Sequence, residues 1–281
     1  MSDSNIIWVT GASGFLGGEL ASRFADYGFD VVGTDDELSV AEPERMEAFA
    51  QEVHPLAIVN CAGIRRDATG LSNRIKAYEV NALGARNVAL VANGCGAMMV
   101  QVSSDDVYSS QLEEPVNEFD NPHPDTPYGK SKRAGEAMVR DTMAEHIIVR
   151  SSWIYHAQSG RMHEVLEAAR SGNKVPARMD QYASPCSVAS YAKFLCRAIE
   201  KRAFGTFHIA PTGKTSRYGF AAKVLEYAGF DPHAVLVPTT DPRTAENIVL
   251  ESLMLEMLGA DLPSWEEDLH AYMDEQGLLA V

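Results

Sequence analysis

The segment Pro127-Tyr128-Gly129-Lys130-Ser131-Lys132 opens a helical pattern and places a tyrosine and a lysine four residues apart. Residues at positions i and i+4 lie on one face of a helix. A phenol has a pKa of about 10, so it transfers protons poorly at neutral pH unless a nearby cation stabilises its anion. Lys132 is spaced to be that cation, which predicts proton transfer by Tyr128. The same spacing also arises by chance on solvated helices, so a catalytic role for the pair depends on whether other motifs in the chain form a site around it.

A glycine-rich turn near the N-terminus predicts a dinucleotide site. The apolar run from Asn5 to Thr10 ends at Gly11-Ala12-Ser13-Gly14-Phe15-Leu16-Gly17, and apolar residues at helical spacing follow. Glycines allow the tight turn and let backbone N–H groups approach a pyrophosphate, while the N-terminus of the next helix favours negative charge. We expect this turn to bind the cofactor phosphates; the alternative is a glycine-rich turn without a ligand.

Two further strand ends extend the predicted cofactor site. The strand from Asp30 to Thr34 ends at Asp35, whose carboxylate can accept hydrogen bonds from the adenosine ribose and would repel a 2′-phosphate. We therefore expect NAD or NADP, with NAD favoured, although a solvated loop carboxylate is the alternative for Asp35. The strand from Ala57 to Asn60 ends in Cys61-Ala62-Gly63, whose small side chains leave room for a ligand at the sheet edge. Ser39 is the remaining residue that we expect in the cofactor site.

A hydroxyl group follows the fourth predicted strand. The strand from Ala97 to Ser103 leads into Ser104, which can sit beside a tyrosine of the next helix, and a long polar loop over 109–127 then reaches Tyr128. After that helix, a fifth strand is expected from Ile147 to Arg150. Strands that alternate with helices predict an α/β fold with one doubly wound parallel sheet of the Rossmann type and a smaller C-terminal α/β part.

Length and composition define the class of protein. With 281 residues, 46% of them hydrophobic and 22% charged, the chain is typical of a globular protein that exceeds one small domain. We expect a dinucleotide-binding Rossmann domain over 1–155 and a mainly substrate-binding part over 156–281, with segments at about 180–210 returning to the first domain.

Charge and apolar patterning exclude several classes of partner. The net charge of −15 argues against nucleic-acid binding. No apolar run is long enough for a membrane span or a signal peptide, so we expect a cytoplasmic protein without a membrane partner. The four cysteines form no CxxC pair and have no histidine at ligand spacing, so neither disulfides nor a metal site is expected.

Five motifs share their spacing with a known family: Gly11-x-x-Gly14-x-x-Gly17, Ser103-Ser104-Asp105-x-Val107-Tyr108, Tyr128-x-x-x-Lys132, Arg150-Ser151-Ser152-Trp153-Ile154-Tyr155 and the polar loop Asp180-Gln181-x-Ala183-Ser184-Pro185. With them the chain resembles the extended short-chain dehydrogenase/reductase family, and within it the dTDP-4-dehydrorhamnose reductases. The first three motifs occur across the wider family, whereas the last two are similar to the sugar reductases alone.

The resemblance implies an NAD(P)-dependent reductase of a nucleotide-linked 4-keto sugar, as in dTDP-rhamnose biosynthesis. It makes Tyr128 the general acid that protonates the keto oxygen, while Lys132 lowers the tyrosine pKa and holds the nicotinamide ribose. Ser104 would hydrogen-bond the carbonyl, and Ser104 and Asp105 would contact the sugar. Trp153 would pack against the nucleotide-sugar, or alternatively is a core tryptophan.

Two other functions remain open at this point. An epimerase or dehydrogenase of another NDP-sugar would share the Ser, Tyr and Lys, and a catalytically silent NAD(P)-binding regulatory subunit would share the fold. The chain also departs from the family pattern, with Asp106 at an aromatic position, Ala183 at a glycine position and the charged run Arg65-Arg66-Asp67 after the third strand. A homodimer is compatible with the resemblance, and no metal is expected.

Overall fold

The computed structural model describes residues 4–64, 71–260 and 262–280, so the run Arg65-Arg66-Asp67 lies outside the described residues. The described strands are β1 (Ile6–Thr10), β2 (Asp30–Thr34), β3 (Ala57–Asn60), β4 (Met98–Val102), β5 (His146–Tyr155), β6 (Val175–Arg178), β7 (Gln181–Ala183), β8 (Pro185–Ser187), β9 (Gly205–Ile209), β10 (Thr215–Ser216), β11 (Leu236–Thr239) and β12 (Glu246–Asn247). The described α-helices are α1 (Phe15–Asp26), α2 (Pro43–Val53), α3 (Leu71–Tyr78), α4 (Ala85–Cys95), α5 (Pro127–Thr142), α6 (Gly160–Ser171), α7 (Val188–Lys201), α8 (Arg217–Tyr227), α9 (Pro232–Val235), α10 (Leu253–Met257) and α11 (Trp265–Glu275).

The main sheet has the strand order β2-β1-β3-β4-β5-β8, and β9 also pairs with β5. Strands β1 to β5 pair in parallel, and every residue of β3 and β4 is buried. Burial along the whole strand is expected where helices cover both faces of a parallel sheet. The predicted α/β fold with a doubly wound parallel sheet is therefore confirmed.

The strand order reverses at β1, which lies between β2 and β3. In doubly wound sheets, ligands bind at the carboxyl ends of the strands beside such a switch point. The glycine turn follows β1 and Cys61-Ala62-Gly63 follows β3, so the topology brings two predicted cofactor segments to one place.

A π-helical segment, Glu79–Gly84, separates α3 from α4. Over about Ser72 to Asn93 the sequence pattern is that of one continuous helix, so the π-helical segment departs from it. Single π-helical turns inside helices are uncommon and occur often at functional sites, and their hydrogen-bond pattern leaves no periodicity in the sequence.

The described chain divides into two compact units, each with its own internal contacts. The first comprises Met1–Ser109, Asn121–Arg150 and Ala192–Phe207, and the second comprises Ser110–Asp120, Ser151–Tyr191 and His208–Val281. The expected assignment of a cofactor-binding part and a substrate-binding part stays a prediction.

The second unit contains two small sheets, with the orders β10-β7-β12 and β11-β6. The sequence predicts a polar loop over residues 180–185, whereas the structure has strand β7 there. The local sequence does not indicate this strand, because its partners in β10 and β12 are more than 30 residues away. Strand β5 also continues past Arg150 to Tyr155, with a register shift between Ser152 and Ile154 where it pairs with β8. No helix among the described residues is long and apolar enough to cross a membrane.

Candidate active site

The first turn of α5 carries the predicted tyrosine. Thr126 caps the helix by accepting a hydrogen bond from the Gly129 N–H at 3.0 Å, and Pro127 takes the first helical position, where its missing N–H is not needed. Tyr128 is half-buried on the helix face that also carries the buried side chains of Lys132 and Glu136 at four-residue spacing. Tyr128 and Lys132 therefore share one face of α5, and their pairing in catalysis stays a prediction.

Gly129 allows this helix to approach the loop that carries Ser104. A Cβ atom at position 129 would lie 1.8 Å from the backbone oxygen of Asp106. Only glycine can occupy the position without moving the backbone, because real Cβ atoms do not approach oxygen so closely. Gly129 thus brings the turn after β4 and the start of α5 into direct contact.

Ser104 begins a short 3-10 turn over Asp105–Val107. Its hydroxyl accepts from the Asp106 N–H at 3.2 Å and donates to Asp105 Oδ1 at 3.0 Å, with Asp106 Oδ2 farther away at 3.4 Å. Each of the three side chains is less than a tenth exposed. The strand-end hydroxyl is therefore held in one orientation, with two carboxylates beside it.

Lys132 is buried at the carboxyl end of β4. Its Nζ donates a hydrogen bond to the Val102 carbonyl at 2.5 Å, two residues before Ser104. Burial lowers the pKa of Lys132 to about 8, and the nearby Glu136 carboxylate partly opposes this decrease. Lys132 is therefore mainly cationic at neutral pH. Burial also raises the pKa of the Cys61 thiol to about 12, against the opposing charge of Lys132, so Cys61 is a neutral group at this strand end.

A buried ion pair connects α5, β5 and both ends of the Ser104 loop. The fully buried carboxylate of Glu136 accepts from Arg150 Nε at 2.9 Å and from Arg150 Nη2 at 2.8 Å. It also accepts from the Ser103 hydroxyl at 2.6 Å, and Arg150 Nη1 donates to the Tyr108 hydroxyl at 2.7 Å. Sequence reasoning missed Glu136, although its i+4 relation to Lys132 could have revealed it.

Asn81 is a second residue that sequence reasoning missed. From the π-helical segment its amide accepts from the Ile64 N–H at 2.8 Å and donates to the Ser131 hydroxyl at 2.9 Å. Ser131 in turn donates to the Tyr128 carbonyl at 2.7 Å. Asn81 thus links the segment after β3 to the helix that carries Tyr128. An asparagine inside a helical pattern was the available signal, since asparagine is a poor helix former.

The glycine turn has the geometry of a phosphate cradle. Gly11 has a φ of 68°, and a Cβ there would lie 2.7 Å from the Ala62 N atom. A Cβ at Gly17 would lie 2.2 Å from the Gly11 oxygen. Helix α1 begins after Gly14 and has no side-chain cap, so its first N–H groups suit an anion. The turn therefore fits a dinucleotide pyrophosphate.

The end of β2 supplies the predicted acid. Asp35 Oδ2 accepts from the Ser13 N–H at 2.6 Å, which joins two predicted cofactor residues. Beyond Thr34 lies a cavity of about 540 Å³ that Gly33, Glu37, Leu38 and Arg45 help to line. Ser39 makes a local contact in which its Oγ accepts from the Ala41 N–H at 3.3 Å, and its role in cofactor binding stays a prediction.

Trp153 belongs to the second unit, where it has a φ of 26° at the register shift of β5. The guanidinium carbon of Arg217 lies 4.1 Å from the centre of its ring. Trp153 is half-buried and packs against a cation, so it differs from an ordinary core tryptophan.

Known proteins are similar to this chain along most of its length. The family model described as the RmlD substrate binding domain matches residues 5–277. A spore coat polysaccharide biosynthesis protein of Bacillus subtilis is 32% identical over 96% of this chain and 97% of its own. A dTDP-4-dehydrorhamnose reductase of Mycobacterium tuberculosis is 31% identical over 81% of this chain and 77% of its own. The crystal structure of a dTDP-4-dehydrorhamnose reductase from Bacillus anthracis in complex with NADP is similar, with a TM-score of 0.89, 30% identity and coverage of 97% and 99% of the two chains.

Proposed function

Because the chain belongs to the RmlD substrate binding domain family, we propose that it is an NAD(P)-dependent reductase that acts on a nucleotide-linked 4-keto sugar. The observation that carries the proposal is the contact between the start of α5 and the Ser104 turn at Gly129. Through this contact the phenol of Tyr128, the buried ammonium of Lys132 and the hydroxyl of Ser104 belong to neighbouring segments of the first unit, which also contains the glycine turn. That combination suits reduction of a carbonyl group.

Each residue of the proposed site has a separate role in carbonyl reduction. A dinucleotide held with its pyrophosphate at the glycine turn would supply the hydride from its nicotinamide ring. Tyr128 donates the proton to the keto oxygen, and the Lys132 charge stabilises the tyrosinate that remains. The Ser104 hydroxyl has one proton, which now goes to Asp105 Oδ1, and rotation about its C–O bond directs that proton to the substrate oxygen.

The residues of the cofactor site fit NADH better than NADPH. Asp35 disfavours a 2′-phosphate at the ribose position. Arg45 follows Asp35 in the chain at the start of α2, but its guanidinium donates to Glu42 at 2.8 Å and to the Glu37 carbonyl at 2.7 Å. A 2′-phosphate would have to break those bonds to use Arg45, so NADH is the favoured cofactor and NADPH the weaker one.

Two other functions compete with this assignment. An epimerase or dehydrogenase of another NDP-sugar in the same superfamily would use the same Ser104, Tyr128 and Lys132. A silent regulatory subunit would not require a buried lysine one helical turn after the tyrosine, so the presence of Ser104, Tyr128 and Lys132 together favours an enzyme. We further propose a cytoplasmic enzyme with a nucleotide-sugar substrate, and the family resemblance is compatible with a homodimer.

A substrate panel tests the proposal. The protein is incubated with NADH or NADPH and 4-keto sugars linked to dTDP, UDP or GDP, and the absorbance of the reduced nicotinamide is followed. We expect one nucleotide class to be reduced at catalytic rates, faster with NADH. Isomerisation of an NDP-sugar without net cofactor consumption would instead identify an epimerase, and absence of any turnover with intact cofactor binding would identify the regulatory subunit.

A further inference from the structure

A cavity of about 340 Å³ lies within the second unit. Its described lining residues come from three segments of that unit, which are the loop near Glu114, the turn after β9 and the chain from β12 past α10. They include none of the residues predicted for the cofactor, for catalysis or for substrate contact. Small-molecule sites in proteins have volumes of about 300–1,000 Å³. The cavity therefore has room for a ligand that the proposed reaction does not use.

The register of the small sheet β10-β7-β12 shows which face the cavity occupies. Asn247, which lines the cavity, pairs with Tyr182, whereas its neighbour Glu246 pairs with Gln181. Successive side chains of a strand point to opposite faces, and paired residues share a face. Asn247 therefore lies on the face of Tyr182, whose ring centre is 5.7 Å from the ammonium of Lys214, another lining residue. Gln181 points to the opposite face.

The predicted substrate contact Trp153 is connected to that opposite face. Arg217 stacks on the Trp153 ring at 4.1 Å, and its Nε donates to Gln181 Oε1 at 2.9 Å. Because Gln181 and Asn247 point to opposite faces of the sheet, the cavity and the surroundings of Trp153 are two separate places in the second unit.

The cavity has an apolar floor and an acidic rim. The floor includes the buried side chains of Ala210, Leu250 and Leu255. Of the described residues that line the cavity, four are glutamates and one is a lysine, which leaves a formal charge of −3. The glutamates are all exposed, and they are Glu113, Glu114, Glu251 and Glu256. This charge repels the anionic cofactor and nucleotide-sugar of the proposed reaction and attracts cations.

Asn247 provides a hydrogen-bond acceptor at this cavity. Its Nδ2 donates to the Leu112 carbonyl, so its amide cannot be reversed without placing two oxygens against each other. Its Oδ1 is buried and has no hydrogen-bond partner among the described residues. A buried acceptor without a donor is destabilising, and a ligand N–H group that reaches it removes this cost.

The arrangement of the acids favours an organic cation over a metal ion. Among the described residues, no group of three or more His, Cys, Asp or Glu side chains could hold a metal. The rim glutamates therefore surround the cavity without converging on one point. An ammonium group needs no fixed coordination shell and donates up to three hydrogen bonds, while an attached hydrocarbon can cover the apolar floor.

We propose that this cavity binds a small organic amine with an apolar body. The rim glutamates attract the ammonium group, which gives Asn247 Oδ1 the donor that it lacks, and the apolar body lies against Leu250 and Leu255. The inference goes beyond the proposed function, because it assigns to the protein a second ligand whose charge is opposite to that of the cofactor and the sugar nucleotide.

Calorimetric titration with three matched probes at about pH 7 tests the proposal. The probes 4-phenylbutylamine, 4-phenylbutanol and 4-phenylbutyrate share one apolar body and end in an ammonium, a hydroxyl or a carboxylate. The full chain is kept saturated with NADH, so that the cofactor site is occupied. We expect the amine to bind at least about tenfold more tightly than the alcohol, because only the amine is a charged donor, and the carboxylate to bind most weakly.

Two double variants and a fourth probe locate the site. Glu251→Gln with Glu256→Gln removes two rim charges and should weaken amine binding at least about threefold while alcohol binding is kept. Glu164→Gln with Glu167→Gln makes the same change in net charge on α6, away from the cavity lining, and should leave both affinities unchanged. The trimethylammonium analogue of the amine keeps the charge but has no N–H group, so it should bind at least about threefold more weakly than the amine.

Four results would overturn the proposal. The first is equal affinity for the amine and the alcohol, and the second is an equal loss of amine binding in the two double variants. The third is equal binding of the trimethylammonium analogue, which would contradict the hydrogen bond to Asn247. The fourth is displacement of the amine by MgCl₂ beyond the effect of NaCl at the same ionic strength, which would assign the rim to a metal ion. Sugar reduction is not measured in these titrations, so this inference and the proposed function fail or stand separately.

Discussion

Replacement of Glu136 by Gln removes one charge from the centre of the active-site framework and keeps the shape of the side chain. In the native protein the carboxylate accepts three short hydrogen bonds, two from Arg150 and one from the Ser103 hydroxyl. Arg133 and Arg140 approach the same carboxylate at 3.5 Å and 3.4 Å. Loss of the charge leaves the Arg150 guanidinium buried, at 3% exposure, beside a neutral amide and near two further cations.

The expected destabilisation follows from this burial. Removal of one partner of a buried ion pair costs about 3–5 kcal/mol, because the remaining charge has no compensation. We therefore expect Glu136→Gln to lower the free energy of unfolding by at least about 3 kcal/mol. Arg150→Met combined with Glu136→Gln should cost less than the sum of the single changes, since the double variant leaves no buried guanidinium.

Urea titration of the variants provides the measurement, with Glu226→Gln as the matched control. Glu226 pairs with Lys223 at 2.8 Å in another helix, but its side chain is 50% exposed, so its loss should cost less than about 1 kcal/mol. If Glu136→Gln is no more costly than Glu226→Gln, the buried network does not support the site and the reasoning is wrong. Additive costs in the double variant would contradict the coupling of Glu136 to Arg150.

Three further predictions concern the reaction itself. Lys132 is cationic below its folded-state pKa of about 8 and loses its charge as pH rises through that value. In a pH–rate profile, kcat/KM should therefore fall on the alkaline side near pH 8. A kcat/KM that stays constant up to pH 10 would contradict the need for the ammonium. Asp35→Ala should raise the ratio of kcat/KM for NADPH to that for NADH about tenfold, since it removes a charge that repels the 2′-phosphate, and an unchanged ratio would remove Asp35 from the selectivity argument. Gly129→Ala should destabilise the fold by about 1–3 kcal/mol and reduce kcat, because the added Cβ meets the Asp106 oxygen at 1.8 Å; the exposed Gly94, with no atom within 4 Å of a Cβ, is the control position for thermal unfolding.

Local patterns in the sequence predicted the parts of the molecule that depend on neighbouring residues. Strands β2 and β3 lie where the sequence predicts them, at Asp30–Thr34 and Ala57–Asn60, and the glycine turn stands at the end of β1. Gly11 has a positive φ and a Cβ at Gly17 would meet the nearby Gly11 oxygen, and these local requirements are why both residues could be identified from spacing.

Contacts between distant parts of the chain could not be predicted in the same way. Glu136 and Asn81 act through Arg150, Ser103 and Ile64, and nothing in the local pattern shows which distant group each side chain reaches. The sequence pattern at β7 predicts a loop, because the backbone partners of this strand lie in the distant segments β10 and β12. The stack of Arg217 on Trp153 likewise joins residues 64 positions apart, and only the folded chain reveals it.

The central claim is that Tyr128 donates the proton to the keto oxygen. Tyr128→Phe removes only the hydroxyl group, so the fold and the affinity for NADH should be kept. With the 4-keto sugar that the wild type reduces fastest, we expect kcat for this variant to fall at least about 100-fold, the lower end of what a general acid contributes. A variant that binds NADH normally and still turns over within about threefold of the wild-type kcat would contradict the assignment.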